Sequence, residues 1–323
     1  MIQKFNNKRV IITGGFGVIG REMIKILAKN GAEVLCYDRI SWPDDLEYLR
    51  GSIEYYKGDI TVSGLPNAID FDPHYLFHLA ASFERSIENK AFWETNFCDN
   101  MMLSHNVASV ACRMHSLKKF VFASSYLIYD TAKYLVDKGA QSRIYLAEND
   151  RVTPRNLCGA AKYYTENELV FLVKQGVISE AVAARIFRVY GKGSNDVISR
   201  WIRAALSNEP ISVYGRLNSF DYIYAQDVAE GLLRLGIEPK ASGVVNLGTG
   251  VSTEIDQVVD TLKHFIPDLS IQEITEEESL VERSAADLSK LIEAVKWHPS
   301  TGLKDGTAQI VAYEQNCSSV GQH

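Results

Sequence analysis

A glycine-rich segment near the start of the chain has the residue types and spacing that bind a dinucleotide. Residues 13–20 read TGGFGVIG, between the apolar run of residues 10–12 and a helix-like stretch at residues 21–29. Glycines permit a tight turn and a close approach of the backbone to a pyrophosphate, whose charge is attracted by the N-terminus of a following helix. The segment predicts a strand, a turn and a helix whose cofactor contacts are Gly14, Gly17, Val18, Ile19 and Gly20.

An aspartate at the end of the next apolar run completes this predicted site. Asp38 follows residues 33–37 and lies about twenty residues beyond the glycine turn, where a carboxylate accepts hydrogen bonds from ribose hydroxyls. The same carboxylate repels a ribose phosphate, although the neighbouring Arg39 has the charge to pair with one. We expect the cofactor to be NAD rather than NADP.

Alternating apolar runs and helical stretches predict the elements that position these residues. Such alternation is typical of a doubly wound parallel sheet of the Rossmann type, an α/β fold in which ligands bind at the carboxyl ends of the strands. The strand-like runs are residues 10–13, 33–37, 53–56, 75–79, 120–124 and 181–187. We expect an NAD-binding domain over residues 1–190, joined by segments from the later half. A smaller C-terminal substrate-binding lobe is expected over residues 191–313, and a flexible tail over residues 314–323.

The composition is that of an ordinary globular protein. The 323 residues are 46% hydrophobic and 23% charged, and the net charge of -6 argues against a nucleic-acid-binding face. The five cysteines are widely spaced, which favours neither a zinc site nor a disulfide framework and is typical of a reducing cytoplasm. The first predicted strand begins within the first ten residues, and no apolar run approaches the length of a membrane span, so we expect a cytoplasmic protein without a signal peptide.

A series of short motifs over nearly the whole chain resembles the extended short-chain dehydrogenases/reductases of the NAD-dependent epimerase/dehydratase type. Besides TGGFGVIG and Asp38, the motifs that carry the resemblance include residues 58–60 (GDI), 78–81 (HLAA), 124–125 (SS), 185–191 (RIFRVYG), 221–223 (DYI), 227–229 (DVA), 246–248 (NLG) and 297–299 (WHP). The resemblance implies an enzyme that acts on a nucleotide-activated sugar. It also implies a homodimer in which residues 91–110 and 161–175 of each subunit form a four-helix bundle.

The resemblance assigns further binding residues. Asp59 and Ile60 would line the adenine site, Ala80 and Ala81 would run beneath the phosphates and ribose, and Asn96 would also serve the cofactor. Each position has a structural alternative: Asp59 caps a turn, residues 78–81 are a plain buried strand, and Asn96 satisfies a buried backbone group. Ser82 would contact the substrate.

The catalytic segment departs from the family pattern at its central residue. Relatives combine a Ser or Thr with a Tyr and a Lys in a segment like PxxxYGxSK, whereas residues 154–162 read PRNLCGAAK. Ser125 and Lys162 therefore match, and Cys158 stands where the tyrosine is expected. Three interpretations follow: Cys158 moves the proton directly or through a water, Tyr126 supplies the missing phenol, or redox activity is lost. A thiol beside a lysine ionises readily, but its sulfur falls short of the position of a phenol oxygen.

The predicted substrate side also departs from the pattern, because Arg188 stands where relatives often have Asn, and Phe220 where they often have Arg. We expect Arg188, Arg216 and Arg283 to bind the substrate diphosphate; the alternative for Arg188 is a pair with an internal carboxylate. Residues 130–149 form either a lid or a solvated excursion.

The sequence thus favours an NAD-dependent nucleotide-sugar epimerase, dehydratase or dehydrogenase that transfers a hydride from a ring hydroxyl carbon to NAD. A standard 4,6-dehydration is disfavoured, because Tyr126 and Leu127 occupy the place of the acidic residue that removes a proton. The alternatives are a catalytically silent protein that binds NAD or a nucleotide sugar, and an NADH-dependent keto-sugar reductase.

Overall fold

The computed structural model describes residues 1–83, 88–139, 144–275 and 280–320, with the side chains of the last segment described through Cys317. The strands are β1 (Arg9–Thr13), β2 (Glu33–Asp38), β3 (Glu54–Lys57), β4 (Tyr75–His78), β5 (Lys119–Ser125), β6 (Leu135–Asp137), β7 (Tyr145–Leu146), β8 (Ala181–Ile186), β9 (Arg188–Tyr190), β10 (Ile211–Val213), β11 (Ser219–Tyr224), β12 (Gly243–Leu247), β13 (Ser252–Glu254), β14 (Ile271–Glu273), β15 (Leu280–Glu282) and β16 (Ala285–Ala286).

The helices are α1 (Val18–Lys29), α2 (Ile60–Ser63), α3 (Ala68–Phe71), α4 (Lys90–Asn96), α5 (Leu103–Ala111), α6 (Thr131–Tyr134), α7 (Leu157–Lys174), α8 (Val197–Leu206), α9 (Ala225–Ile237), α10 (Ile255–Phe265), α11 (Ser289–Val295) and α12 (Leu303–Val320). A π-helical segment, Phe97–Met102, joins α4 to α5 without a break. Short 3-10 helices occupy Ile2–Phe5, Asp44–Leu49 and Tyr126–Ile128.

Seven parallel strands form the central sheet in the order β12-β8-β5-β4-β1-β2-β3. One buried cluster joins one face of the sheet to α1, α9 and α11, and a second joins the other face to α5 and α7. Apolar strands covered by helices on both faces are the mark of a doubly wound parallel sheet. The predicted Rossmann-type fold is confirmed, and β12 is the strand that returns to the sheet from the later half of the chain.

A second lobe is built on the three-stranded sheet β13-β11-β9, against which α8, α10 and α12 bury their own apolar cluster. Its amphipathic helices have defined starts, because Asp196 accepts a hydrogen bond from the backbone of Ser199 and Glu254 forms a capping box with Gln257. Helix α12 continues to Val320, so residues 314–320 are helical where a flexible tail was expected.

The segment at residues 130–149 is neither a free lid nor a solvated helix along its described length. After one turn of helix, β6 pairs antiparallel with β15, and β7 pairs parallel with β16. Residues 140–143 of this segment lie outside the described residues. The pairing binds the segment to the C-terminal lobe and sets the position of Glu282, which pairs with Leu135 at the end of β15.

None of the described helices is long and apolar enough to cross a membrane.

Candidate active site

A cavity of about 250 Å³ lies at the carboxyl ends of β1, β2 and β4. Strand ends at a change in strand order are where open α/β sheets bind ligands. The residues predicted for the cofactor that line it are Gly14, Gly17, Asp38, Asp59, Ile60, Ala80 and Ala81, joined by Tyr37, Arg39, Ile40, Gly58, Leu79, Asp99 and Leu103. Val18, Ile19 and Gly20 form the first turn of α1, directly after Gly17.

The glycine turn has the geometry of a cradle. Gly14 has φ +72°, and a Cβ atom there would lie 2.7 Å from the backbone nitrogen of Ala80. A Cβ atom at Gly20 would lie 2.6 Å from the carbonyl oxygen of Gly14, which explains the close approach of helix and turn. No described side chain caps the N-terminus of α1 at Gly17. The open helix end and the bare backbone fit a dinucleotide pyrophosphate.

Carboxylates dominate the ribose end of the cavity. Asp38 accepts hydrogen bonds from the backbone nitrogens of Phe16 at 2.8 Å and Ile40 at 3.2 Å. Arg39, the residue with the charge to recruit a ribose phosphate, instead pairs with Asp99 at 3.1 Å and lies 3.9 Å from Asp59. Three carboxylates and one guanidinium line this part of the cavity, and their net negative charge favours ribose hydroxyls over a phosphate.

Asp59 combines the predicted role with its structural alternative. Its side chain accepts a hydrogen bond from the backbone of Thr61 and so caps α2, while the residue also lines the cavity. Its hydrogen bonds with Thr61 lower the pKa of the carboxyl, so it is charged at neutral pH.

Asn96 is not among the residues that line the cavity. Its side chain is buried and accepts a hydrogen bond from Asn100 Nδ2 at 2.7 Å. Asn100 in turn binds the backbone nitrogen and oxygen of Ser82 at 2.8 and 2.9 Å. Asn96 therefore orients Asn100, which binds the backbone of Ser82. This role is close to the alternative in which Asn96 satisfies a buried backbone group.

The start of α7 places Cys158 and Lys162 one turn apart, and neither residue is among those that line the cavity. Asn156 caps the helix through the backbone of Gly159 at 2.8 Å, and Glu88 accepts from the backbone nitrogens of Leu157 at 2.7 Å and Cys158 at 3.3 Å. The thiol of Cys158 lies 4.0 Å from the carbonyl oxygen of Ser82, the residue after Ala81 of the cavity lining. The start of α7 therefore approaches the cavity at Ser82, the residue next to its lining.

Lys162 is buried, and no carboxylate pairs with it among the described residues. Its Nζ lies 4.8 Å from the centre of the Phe122 ring. Burial lowers the pKa of Lys162, and burial also raises the pKa of Cys158, against the opposing effect of the Lys162 charge. Both shifts favour the uncharged forms of the pair. Nearby His78 is neutral, because burial and the Lys162 charge lower its pKa to about 3.

Ser125 is the last residue of β5 and Tyr126 follows it, but the two side chains face different surroundings. Ser125 Oγ accepts from the backbone of Leu127 at 3.2 Å. The Tyr126 ring stacks on Phe187, and its hydroxyl donates to Glu282 at 3.2 Å and accepts from Arg188 Nε at 3.0 Å. Burial raises the pKa of Tyr126 well above its usual value, which is the reverse of what a base requires. These contacts argue against Tyr126 as the replacement phenol.

Of the three predicted clamp arginines, Arg188 and Arg283 lie opposite residues of β11 and Arg216 lies in the turn before it. Each has a carboxylate partner. Arg188 lies over the Phe220 ring at 3.6 Å and 3.6 Å from Glu282, which agrees with its structural alternative. Arg283 donates to Glu254 at 3.5 Å, while its buried Nε has no hydrogen-bond partner among the described residues.

Arg216 is the most fully paired of the three. It forms ion pairs with Asp256 and Glu273, and its Nε lies 3.1 Å from a Glu273 oxygen.

Arg155, Glu282 and Glu88 are site residues that the sequence analysis missed. Arg155 Nη1 lies 2.5 Å from Glu282 Oε2, although the two residues are far apart in sequence. Glu282 lies on β15, which pairs with β6, and the sequence has no signal for that pairing. Glu88 precedes α4 without any motif that would link it to the start of α7.

Residues 10–248 match the NAD dependent epimerase/dehydratase family. The chain belongs to this family. NAD is accordingly its cofactor, and the cavity and glycine turn fit that molecule.

Named proteins resemble this chain in sequence and in fold. A candidate UDP-glucose 4-epimerase from Methanocaldococcus jannaschii is 29% identical over 95% of this chain and 98% of its own length. The structure of MoeE5 with UDP-glucuronic acid and NAD is similar with a TM-score of 0.81 and 25% identity, over 96% of this chain and 99% of MoeE5. The epimerase Mth375 from Methanothermobacter thermautotrophicus shares the fold with a TM-score of 0.84 and 22% identity, over 99% and 96% of the two chains.

Replacement of Gly14 by alanine is expected to weaken NAD binding by at least about 10-fold, because the added Cβ would collide with the Ala80 backbone and the positive φ disfavours it. Gly51→Ala is the matched control, since Gly51 also has a positive φ but has nothing within 4 Å of its Cβ position. Calorimetric titration with NAD measures both variants. Equal affinities would contradict the assignment of the cradle.

Proposed function

We propose that the protein is an NAD-dependent UDP-sugar epimerase that oxidises a ring hydroxyl transiently and then reduces the keto-sugar from its other face. The observation that carries the proposal is Lys162, a buried amine without a carboxylate partner among the described residues, on a helix that borders the cofactor cavity. The names of the M. jannaschii relative and of the MoeE5 complexes support a UDP-sugar as the substrate. No separate observation favours either alternative, a catalytically silent binding protein or a keto-sugar reductase.

In this proposal, different residues bind different parts of NAD. The glycine turn and the first turn of α1 bind the pyrophosphate, Asp38 binds ribose hydroxyls, Asp59 lies at the adenine, and Lys162 binds the second ribose. Bound NAD supplies a hydride acceptor and returns the same hydride, so no external oxidant is consumed. The protein supplies binding, orientation and proton transfer.

Proton transfer falls to Ser125, Cys158 and Lys162. Ser125 orients the sugar hydroxyl, and the Cys158–Lys162 pair accepts its proton as the carbinol C–H bond breaks. Burial lowers the pKa of Lys162, so a larger fraction of this amine is neutral than of an exposed lysine, and a neutral amine is a competent base, whereas a protonated lysine is not. The proton returns to the oxygen when the keto-sugar is reduced.

Of the three arginines expected at the diphosphate, Arg283 and Arg216 are proposed to bind it, whereas Arg188 is engaged by Glu282 and Tyr126. Arg283 has the strongest case, because its contact with Glu254 is long and its buried Nε has no described partner. Arg216 is the weakest member, since Asp256 and Glu273 already neutralise it. Guanidinium groups suit this role because their fork of donors matches phosphate oxygens.

A homodimer is proposed through one exposed apolar face. Its side chains lie on α4, the π-helical segment and α7, and their exposed fractions are Trp93 57%, Phe97 53%, Tyr164 45%, Val170 40% and Phe171 60%. A contiguous exposed apolar face marks an interaction surface, and a symmetric pair buries it on both copies.

Lys162→Met is expected to lower kcat by at least about 100-fold, because it removes the proton acceptor, and to change the Kd for UDP-glucose by less than about 3-fold. Lys174→Met is the control, since Lys174 is an exposed lysine of the same helix. In the unaltered protein, kcat should rise with pH through a pKa below the usual value of 10.5 for lysine, since the neutral amine is the active form. Full activity of Lys162→Met would remove Lys162 from the reaction.

Arg283→Gln should weaken binding of every UDP-sugar by about 10-fold or more, because one charge-assisted contact with the diphosphate is lost. Arg113→Gln serves as the control, since Arg113 is exposed in the turn that follows α5. Titration of the NAD-loaded protein with UDP and with UDP-glucose measures the effect. Unchanged affinity would show that Arg283 does not bind the diphosphate.

Phe171→Glu should convert the dimer to a monomer, because it places a charge in the middle of the proposed apolar interface. Val62→Glu is the control, since Val62 is 87% exposed on α2 and lies outside that face. Light scattering after gel filtration determines the mass. A dimer that survives Phe171→Glu, or a monomeric unaltered protein, would contradict the proposed interface.

A further inference from the structure

A buried carboxylate joins the catalytic segment to the C-terminal lobe. Glu282, on β15, is 2% exposed. It receives Arg155 Nη1 at 2.5 Å, Tyr126 Oη at 3.2 Å and Ser284 Oγ at 3.0 Å, and it lies 3.6 Å from Arg188 Nη2. A buried carboxylate requires such partners, because an unpaired charge in this position would be strongly destabilising.

The cluster around Glu282 has more positive than negative charge. Two guanidinium groups share one carboxylate, and the side chains of Arg155 and Arg188 are still 35% and 36% exposed. Contact with Glu282 uses only part of each fork of donors. The buried hydroxyl of Tyr222, opposite Arg188 in the β9–β11 pairing, has no hydrogen-bond partner among the described residues. The cluster therefore has unused donors and a net charge that suit an anion.

The position of Arg155 relates this cluster to the sugar rather than to the diphosphate. The backbone nitrogen of Arg155 donates to the carbonyl oxygen of Leu127 at 2.8 Å, two residues after Ser125. Arg155 also precedes Cys158 by three residues. The backbone of Arg155 thus lies beside the segment that follows Ser125, and its guanidinium shares Glu282 with the hydroxyl of Tyr126. Arg283 instead contacts Glu254 at the start of α10.

We propose that Arg155, with Arg188 beside it, forms a subsite for a carboxylate on the sugar, so that the preferred substrate is a nucleotide uronate rather than a neutral nucleotide hexose. Glu282 holds the two guanidinium groups apart and in place. It also reduces the positive charge of the subsite. The planar fork of a guanidinium pairs with two carboxylate oxygens at once, which a neutral hydroxymethyl group cannot do. This inference rests on the proposed action on UDP-sugars.

UDP-glucuronate and UDP-glucose are the matched probes, because they differ only in the group on carbon 5 of the ring. Calorimetric titration of the NAD-loaded protein should give tighter binding of UDP-glucuronate. Arg155→Gln should weaken binding of UDP-glucuronate by about 10- to 100-fold and change the Kd for UDP-glucose by less than about 3-fold. Glu282→Gln should shift the ratio of the two affinities in the opposite direction, because it removes the charge that opposes an incoming carboxylate.

Two further variants separate this role from others. Arg151→Gln should change neither affinity, since Arg151 lies in the same segment but its side chain is 82% exposed. Arg283→Gln should weaken binding of both probes equally. If Arg155→Gln does not fold, Arg155→Lys tests the subsite, because it keeps the charge but loses the fork and should still reduce the preference.

The outcomes distinguish this inference from the function on which it rests. No binding of either UDP-sugar by the unaltered protein would overturn the proposed function. Binding of UDP-glucose with no preference for UDP-glucuronate would overturn the uronate subsite alone. If Arg155→Gln lost equal affinity for both probes, Arg155 would contact the part of the molecule that the two probes have in common. That result would also overturn the subsite.

Discussion

Seven parallel strands end at a common edge of one sheet, and the candidate site depends on that shared edge. The ends of β1, β2 and β4 form the cofactor cavity, while the end of β5 leads into Ser125 and Tyr126. Helix α7 then returns Cys158 and Lys162 to the same place. Parallel pairing makes this convergence unavoidable, since strands that run in one direction present their carboxyl ends together.

Charge is distributed unevenly along the resulting cleft. Asp38, Asp59 and Asp99 make the ribose end of the cofactor cavity negative, and Arg39 is held among them. The substrate side carries Arg155, Arg188 and Arg283. Lys162, whose burial lowers its pKa, lies in the first two turns of α7. This arrangement separates an end suited to ribose hydroxyls from an end suited to anionic groups.

The features predicted from sequence are those that depend on local physics. The turn at Gly14 and the carboxylate of Asp38 follow from their neighbours in sequence, and the strands of the sheet follow from apolar runs. Tyr126 looked available because it follows Ser125, but its contacts with Glu282 and Arg188 arise from a distant segment. The Arg155–Glu282 pair could not be foreseen, because the two residues are far apart in sequence and no motif links them. Residues 314–320 looked like a polar tail, yet they continue α12.

Reaction of the NAD-loaded protein with UDP-glucuronate and UDP-glucose, followed by NMR and mass spectrometry, tests the central claim most directly. The account predicts a product of unchanged mass with one inverted ring carbon, formed without accumulation of NADH. A product that has lost two hydrogens, with stoichiometric NADH, would contradict transient oxidation. Saturable binding of a UDP-sugar with no turnover would show that Cys158 and Lys162 do not replace the missing phenol.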